Sequence, residues 1–162
     1  DLMEIVREHV WGVDGDTLET VGGRLLAEKN LNLAVMEDYT GGLLTATITG
    51  TPEIAAHFKG GIVTASDEAC VAGGIDYSLI SNHGRHSAGM AQALAEAARE
   101  RLGASVGIGV TGANEPGEVA GRIYGTFNIA VTDGVNTRTM TTRYPGDKNR
   151  VRRWATSAAR CA

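Results

Sequence analysis

Two glycine-containing loops that follow predicted strands could carry chemistry in this sequence. Thr40-Gly41-Gly42 comes after Leu31–Met36, where apolar and polar residues alternate, and Thr111-Gly112 opens a Gly/Pro loop that extends to Gly121. Glycine lets the backbone approach an anion closely, and threonine adds a hydroxyl group. A tight turn with close helix packing would give the same pattern, which matches neither the P-loop nor the dinucleotide fingerprint. These five residues are therefore candidate ligand-binding positions.

Arginines toward the end of the chain form a second candidate site. Arg122 lies at the far end of the Gly/Pro loop, and Gly146-Asp147 precedes a basic segment. Asp147, Arg150 and Arg153 recur at i, i+3 and i+6, so they could share much of one helix face. Guanidinium groups there could hold a phosphate or carboxylate, although a solvated basic face is the simpler interpretation.

The histidines and cysteines do not form a metal site. His83 and His86 could share a metal only across one helical turn, and no third ligand stands near them. Cys70 and Cys161 make neither a zinc motif nor a disulfide framework. We therefore predict no metal and no cofactor, and a reducing cytoplasm as the setting.

Composition narrows the class of protein. The chain has 162 residues, of which 43% are hydrophobic and 21% charged, so we expect one globular α/β domain. The formal net charge of -4 and an aromatic content of 5% argue against nucleic acid as a partner. No apolar run approaches the ~20 residues that span a bilayer. The 22 glycines have no triplet period and come between apolar runs.

Helical and strand-like periods alternate along the chain. Residues 1–15 are interpreted as a linker or the tail of a preceding domain, and 16–162 as the domain itself. Asp133-Gly134 predicts a hairpin, and Asp147 is placed to cap the last helix. This order predicts a three-layer α/β/α sandwich with a mixed, mostly parallel sheet and a late β-hairpin. The strands are expected at Leu31–Met36, Phe58–Ala65, Val106–Val110, Ile123–Val131 and Thr137–Arg143.

Ordered motifs across the domain resemble one family. They are Glu37 with Thr40-Gly41-Gly42-Leu43, Phe58-Lys59-Gly60-Gly61-Ile62-Val63 with Ser66, His83-Gly84 with Ser87, Gly109-Val110-Thr111-Gly112, Gly125-Thr126, and Gly146-Asp147 with Arg150. Together they are similar to the C-terminal domain of CinA, the competence/damage-inducible protein, which also occurs alone as a nicotinamide mononucleotide deamidase. The resemblance implies a C–N amidohydrolase scaffold, a homo-oligomer, and a preceding molybdopterin-binding-like domain. It also adds Gly60 and Gly61 to the candidate ligand-binding residues.

The catalytic positions that the resemblance implies are occupied by other residues. Active members have a nucleophilic Ser in E-S-C-T-G-G and a Tyr and Lys in Y-S-N-E-A-K. A serine hydroxyl needs a neighbouring base, and a desolvated lysine can be that base. Here the three places hold Asp38, Ala65 and Cys70, and Asp67 replaces the Asn.

Three hypotheses follow from this comparison. The first is a catalytically inactive domain that is kept for binding a pyridine-nucleotide-like ligand, for regulation or for assembly. The second is an active amidohydrolase with a rearranged site, in which Asp38 and Asp67 would activate water. The third is an oligomerisation or interaction module that uses its alanine-rich helices and the polar edge strand Thr137–Arg143.

Overall fold

The computed structural model describes residues 15–113 and 117–161. The predicted N-terminal tail and positions 114–116 of the Gly/Pro loop lie outside the described residues. The helices are α1 Leu18–Glu28, α2 Leu43–Thr49, α3 Pro52–Ala55, α4 Asp67–Ala72, α5 Tyr77–His83, α6 Ala88–Leu102 and α7 Lys148–Cys161. The strands are β1 Leu33–Glu37, β2 Phe58–Val63, β3 Val106–Gly112, β4 Gly117–Val119, β5 Arg122–Thr132 and β6 Thr137–Pro145.

The strands form one mixed sheet that ends in a hairpin. Strand β1 lies between β2 and β3 and is parallel to both, whereas β5 is antiparallel to β3, β4 and β6. Among the described strands, β5 alone therefore runs against the common direction. The predicted mixed sheet and late hairpin are confirmed. Most strands point in the same direction, as the prediction of a mostly parallel sheet requires. Most neighbouring strand pairs are nevertheless antiparallel, because β5 pairs with β3, β4 and β6.

Helices cover both faces of the sheet, so the three-layer prediction is confirmed. Helices α1, α2, α3 and α7 pack on the face that Val35, Val110 and Phe127 share. Helices α4, α5 and α6 pack on the opposite face, against Ala34 and Met36. Successive side chains of a strand alternate between faces, so each strand serves both layers.

Some boundaries differ from the sequence prediction for identifiable reasons. Every residue of β1 is buried, because helices cover this central strand on both sides; the expected alternation is therefore absent. The expected loop from Thr111 to Gly121 begins with two more residues of β3 and contains β4, which pairs with β5. The short helices α3 and α5 were not predicted.

Helix α6 packs with its backbone directly against β3. A Cβ atom added at Gly107 or Gly109 would fall well inside contact distance of the Ala95 or Ala91 carbonyl oxygen on α6. The alanines of α6 and the glycines of β3 therefore form one close helix–strand contact. This explains part of the glycine excess by packing rather than by ligand binding.

A methyl group at this contact is expected to be costly. We expect Gly109→Ala to lower the free energy of unfolding by roughly 1–3 kcal/mol, because α6 must shift away from β3 to make room. Urea unfolding followed by circular dichroism measures the change. Gly117→Ala is the matched control, because no atom lies within 4 Å of the Cβ position there. An equal, small effect at both positions would contradict the close contact.

No helix in the described ranges has the length and apolar character needed to cross a membrane.

Candidate functional site

A fully buried carboxylate organises the loop after β1. The Glu37 Oε2 atom accepts hydrogen bonds from the Thr40 hydroxyl, at 2.5 Å, and from the Leu44 amide, at 3.1 Å. Its Oε1 atom accepts from the amide and the hydroxyl of Thr45, at 2.9 and 2.6 Å. Glu37 thereby fixes Thr40 and the first turn of α2 against the carboxyl end of β1. The Thr40-Gly41-Gly42 candidate is thus a turn whose polar groups are held from within the protein.

Asp38 points to the opposite face of the sheet and forms a buried ion pair with Arg85. The Arg85 Nη2 atom lies 2.6 Å from Asp38 Oδ1, and Arg85 Nε lies 3.2 Å from Oδ2. The Arg85 side chain is only 16% exposed, and the Asp38 side chain is only 3% exposed. Burial acts to lower the pKa of Arg85, but the Asp38 carboxylate outweighs it, so the pKa is raised. The two groups form a bidentate ion pair of the strong type.

Three further residues contact this ion pair. Arg85 Nη2 also donates to the Thr64 carbonyl oxygen at 2.8 Å, and Arg85 Nη1 lies 3.6 Å from the Asp67 carboxylate. The Thr111 hydroxyl lies 3.1 Å from Asp38 Oδ2 and 2.8 Å from the Arg85 carbonyl oxygen, so it can donate to either. The structure therefore brings Asp38 and Asp67 to one guanidinium group and Thr111 to Asp38 and the Arg85 carbonyl oxygen. We call these four residues the Arg85 cluster.

Cys70 lies beside the Arg85 cluster but is suited to packing. Its side chain is completely buried, and its Sγ atom is 3.9 Å from the Thr64 carbonyl oxygen. Burial raises the pKa of the Cys70 thiol, which therefore stays protonated at neutral pH. Ala65 directly follows Thr64, is exposed, and has no group that could transfer a proton. Two of the four positions named from the catalytic resemblance, Asp38 and Asp67, thus contact one guanidinium, and Cys70 shares the Thr64 carbonyl oxygen with it.

His86 faces Asp38 from the same loop as Arg85. Its Nδ1 atom is 3.8 Å from Asp38 Oδ2, and its carbonyl oxygen accepts a hydrogen bond from the buried Asn128 side chain at 2.7 Å. Burial lowers the pKa of His86, although Asp38 acts in the opposite direction. The imidazole is therefore neutral at pH 7.

Protonation of His86 is expected to make stability depend on pH. Its pKa is lower in the folded chain than in the unfolded chain, so the unfolded chain takes up the proton first as pH falls. We expect the urea midpoint to decrease from pH 7 to pH 5.5, and His86→Gln to reduce that decrease. His83→Gln, at the exposed end of α5, is the control. Identical pH profiles for the wild type and His86→Gln would contradict this prediction.

The second set of sequence candidates meets in a separate groove. Arg122, Gly146, Asp147 and Arg150 line a hollow of about 390 Å³ together with Ile123, Tyr144 and Pro145. The Asp147 carboxylate caps α7, because it accepts hydrogen bonds from the amides of Asn149 and Arg150 at 2.9 and 3.0 Å. The groove therefore presents two arginine side chains beside a helix N-terminus that is already capped. Arg153 does not join it and lines another hollow.

Arg152, rather than Arg150, connects α7 to the loop after β1. Its Nη2 atom donates to the Thr40 carbonyl oxygen at 2.7 Å, and its guanidinium lies so close to Gly41 that a Cβ there would clash. Gly41 also has a positive φ of +61°, which favours glycine. The buried Tyr39 hydroxyl and the Arg152 Nε atom have no hydrogen-bond partner within the described chain.

The remaining glycine candidates serve the backbone. Gly42 has a φ of +94° and is the N-cap of α2. A Cβ at Gly61 would overlap the Thr45 side chain, and one at Gly112 would contact the Tyr39 ring. Gly60 has a φ of +145° and lies against Leu102. These backbone conformations and contacts explain the presence of glycine at each of these positions. A ligand-binding role for these glycines stays a prediction.

An apolar hollow of about 360 Å³ lies away from these groups. Its walls come from α1, α2, α3 and α7, on the face of the sheet opposite the Arg85 cluster. Leu25, Leu26, Ile48 and Ile54 contribute, and the charged groups at it are Lys29 and Arg160. No carboxylate, imidazole, hydroxyl or thiol is among the described residues that line it, so we do not include it in the candidate site.

Sequence reasoning missed the residues that hold the site together. Arg85, His86 and Arg152 contact the predicted positions but were not among the candidates. The resemblance offers a signal for Arg85: the family stretch that corresponds to residues 83–88 reads H-G-A-V-S-E, so Arg85 and His86 stand in the places of Ala and Val.

The family model described as the CinA C-terminal domain matches residues 15–161. This chain belongs to the CinA C-terminal domain family. The resemblance inferred from the motifs is therefore confirmed, and the Arg85 cluster lies at the carboxyl ends of the strands of a CinA-type sheet.

Individual relatives agree with the family match. A CinA-like protein of Frankia casuarinae is 38% identical over 151 residues, which cover 93% of this chain and 35% of that protein. A putative competence-damage inducible protein of Moorella thermoacetica is 40% identical over 117 residues, covering 72% of this chain and 28% of that protein. The chain thus spans about a third of the length of such relatives. The solved competence damage-inducible protein A (ComA) of Klebsiella pneumoniae is similar with a TM-score of 0.80 and 27% identity, covering 89% of this chain and 91% of that one.

Proposed function

We propose that this CinA-family domain binds a pyridine-nucleotide-like ligand at the carboxyl edge of its sheet without hydrolysing the ligand's amide. The observation that carries the proposal is the Asp38–Arg85 ion pair. The resemblance puts a nucleophilic serine at position 38, and here that position holds a buried carboxylate bound by a bidentate guanidinium. A group held in this way has no proton to lose and no free approach to a substrate carbon.

Amide hydrolysis also requires groups that move protons. A nucleophile must be deprotonated and the departing ammonia must be protonated. At the two other positions, Ala65 has no ionisable group and burial keeps the Cys70 thiol protonated. Arg85 supplies a cation where the family's lysine is missing, but a guanidinium does not act as a base at neutral pH. The proton-transfer steps therefore have no candidate among these residues.

Ligand binding is supported by the groups that remain. Arg122 and Arg150 line the 390 Å³ groove, which is large enough for part of a nucleotide. Guanidinium groups match the geometry of a phosphate. In this proposal the groove takes the phosphate of a pyridine mononucleotide, and Thr40 and Thr111, whose buried hydroxyls bond to neighbouring protein groups, position the glycine turns that face the rest of the ligand.

A rearranged amidohydrolase is the second candidate. It is favoured by the approach of Asp38 and Asp67 to a common group, with His86 Nδ1 3.8 Å from Asp38. Arg85 argues against it, because the guanidinium that lies between the two carboxylates would compete with a shared water. Homo-oligomerisation and a preceding molybdopterin-binding-like domain remain predictions from the resemblance, and a cytoplasmic setting remains a prediction from the cysteines.

Calorimetric titration tests the binding part of the proposal. Binding of nicotinamide mononucleotide and of nicotinate mononucleotide should each give a saturable 1:1 isotherm. The Arg122→Ala/Arg150→Ala variant should bind both nucleotides at least tenfold more weakly. Arg24→Ala, an exposed arginine on α1, is the matched control. Absence of binding by the wild type, or equal binding by the double variant, would contradict the proposed groove.

A further inference from the structure

Strand β6 is an open edge of the sheet. Among the described residues it pairs only with β5, in a continuous antiparallel register from Thr137 to Pro145. The Asp133 amide bonds to the Asn136 carbonyl, and the Gly146 amide to the Ile123 carbonyl, at the two ends of this ladder. Hydrogen-bonded and non-bonded pairs alternate between antiparallel strands. The backbone groups of Thr139, Thr141 and Arg143 therefore point away from β5, toward solvent.

Exposed apolar side chains accompany this edge. Met140 is 38% exposed on β6, and Trp154 of α7 is 44% exposed. The Trp154 ring stacks on Tyr144 of β6 with the ring centroids 4.2 Å apart. A hollow of about 220 Å³ lies beside Trp154 and Arg153. Strand β6 carries the charges and the proline of a protected edge, and beside them a methionine and the tryptophan ring are exposed and available to a binding partner.

The charge of this region differs from that of the chain as a whole. Residues 138–153 contain six of the fifteen lysines and arginines but one acidic residue, Asp147, in a chain of net charge -4. Arg138 and Arg143 lie on β6 itself and have no carboxylate partner within the described ranges. A partner strand at this edge would be favoured by acidic side chains opposite these two arginines.

A second copy of the same chain would leave the two arginines of this edge without carboxylate partners. When two β6 strands pair in antiparallel fashion about the middle of the strand, Arg143 lies opposite Thr139 of the other copy, and Arg138 lies opposite Tyr144. Neither arginine meets a carboxylate, because Thr137–Pro145 contains no acidic residue. The charge pattern therefore favours a different, acidic partner.

We infer that the β6 edge binds an extended acidic segment of another protein, which adds to the sheet as an antiparallel strand. Main-chain hydrogen bonds from Thr139, Thr141 and Arg143 would give affinity, and side chains would give selectivity. The residues opposite Arg143 and Arg138 are five apart and acidic, and the residue opposite Met140 is apolar. The ligand motif is therefore acidic-x-x-apolar-x-acidic. This inference is independent of the proposed nucleotide site.

Selection from a random peptide library, displayed on phage, tests the motif with the complete chain as bait. The expected result is enrichment of peptides with two acidic residues five apart and an apolar residue three after the first. A synthetic peptide of the selected consensus should then change the Trp154 fluorescence of a Trp11→Phe variant, in which Trp154 is the only tryptophan. Arg138→Glu/Arg143→Glu should weaken its binding at least tenfold, whereas Lys59→Glu, on the opposite edge strand β2, should not.

N-methylated peptides test the strand geometry. Methyl groups on the amides that face β6 should abolish binding, and methyl groups on the intervening amides should leave it within threefold. No enrichment of the motif, or equal loss with both methylated peptides, would overturn the inference. Equal competition by a single-stranded oligothymidylate would overturn it in favour of a general polyanion surface. A wild-type dimer that dissociates on Trp154→Ala would assign the edge to a second copy instead.

Discussion

Arg85→Ala is expected to lower the free energy of unfolding by about 3–5 kcal/mol, the range found when one partner of a buried ion pair is removed. In the wild type the Asp38 side chain is only 3% exposed, and the substitution removes the bidentate guanidinium and leaves the Thr111 hydroxyl, at 3.1 Å, as a donor among the described side chains. Urea unfolding at pH 7, followed by circular dichroism, measures the loss. Asp38→Ala should cost less, because Arg85 is more exposed and keeps the Thr64 carbonyl oxygen and Asp67.

The matched test is the pair of substitutions that restores the family's residues. Asp38→Ser/Arg85→Ala puts the serine and the alanine of the resembled motifs at these positions and removes both charges. It should be more stable than Arg85→Ala alone, since no buried charge is left without its partner. Asp38→Ser is therefore also measured alone. A double variant whose loss equals the sum of the Asp38→Ser and Arg85→Ala losses would show that the pair is not coupled, and would contradict the ion-pair account.

Glu37→Gln is expected to lower the free energy of unfolding by about 2–4 kcal/mol. The carboxylate accepts four hydrogen bonds in a fully buried position, and a glutamine amide would turn its NH₂ group toward two of those donors. The loop from Thr40 to Thr45 should loosen with it, which hydrogen exchange at the Leu44 and Thr45 amides would detect. Glu28→Gln at the exposed end of α1 is the control. A change below 0.5 kcal/mol, roughly that of an ordinary surface substitution, would contradict the anchoring role.

The architecture was predictable because local patterns and the fold agree. Buried runs, caps such as Ser66, Ser87 and Asp147, and the Asp133-Gly134 turn are all encoded within a few residues. The burial of β1 was not, because it depends on helices distant in sequence that cover both faces. The glycines of β3 are similar: Gly107 and Gly109 are explained only by the backbone of α6.

The candidate site was predicted in part, and its missing members are long-range partners. Arg85 is 47 residues from Asp38, and Arg152 is 112 residues from Thr40. Nothing in the local sequence selects Arg152 over Arg150 or Arg153. The selection follows from the rotation of α7, which points residue 152 toward the loop after β1 and residue 150 toward the groove at Arg122. Such assignments require the packed positions of two elements.

The Arg85 cluster contributes to charge balance at the carboxyl ends of the strands. The resemblance implies a lysine at position 70, where this chain has a buried cysteine, and Arg85 brings a cation to the neighbouring Thr64 carbonyl oxygen and to Asp38. Under the proposed function, this ion pair stabilises the fold at positions where the resemblance implies groups that attack an amide and transfer its protons.

Release of ammonia from nicotinamide mononucleotide is the most direct test of the central claim. The purified wild-type chain, at a concentration comparable to that of the substrate so that even slow turnover is detected, should release no more ammonia than a buffer blank between pH 6 and pH 9. The same preparation should bind the nucleotide in the calorimetric titration, which shows that the protein is intact. Ammonia release well above the blank that disappears in the Asp38→Ala variant would contradict the account and establish the rearranged amidohydrolase in its place.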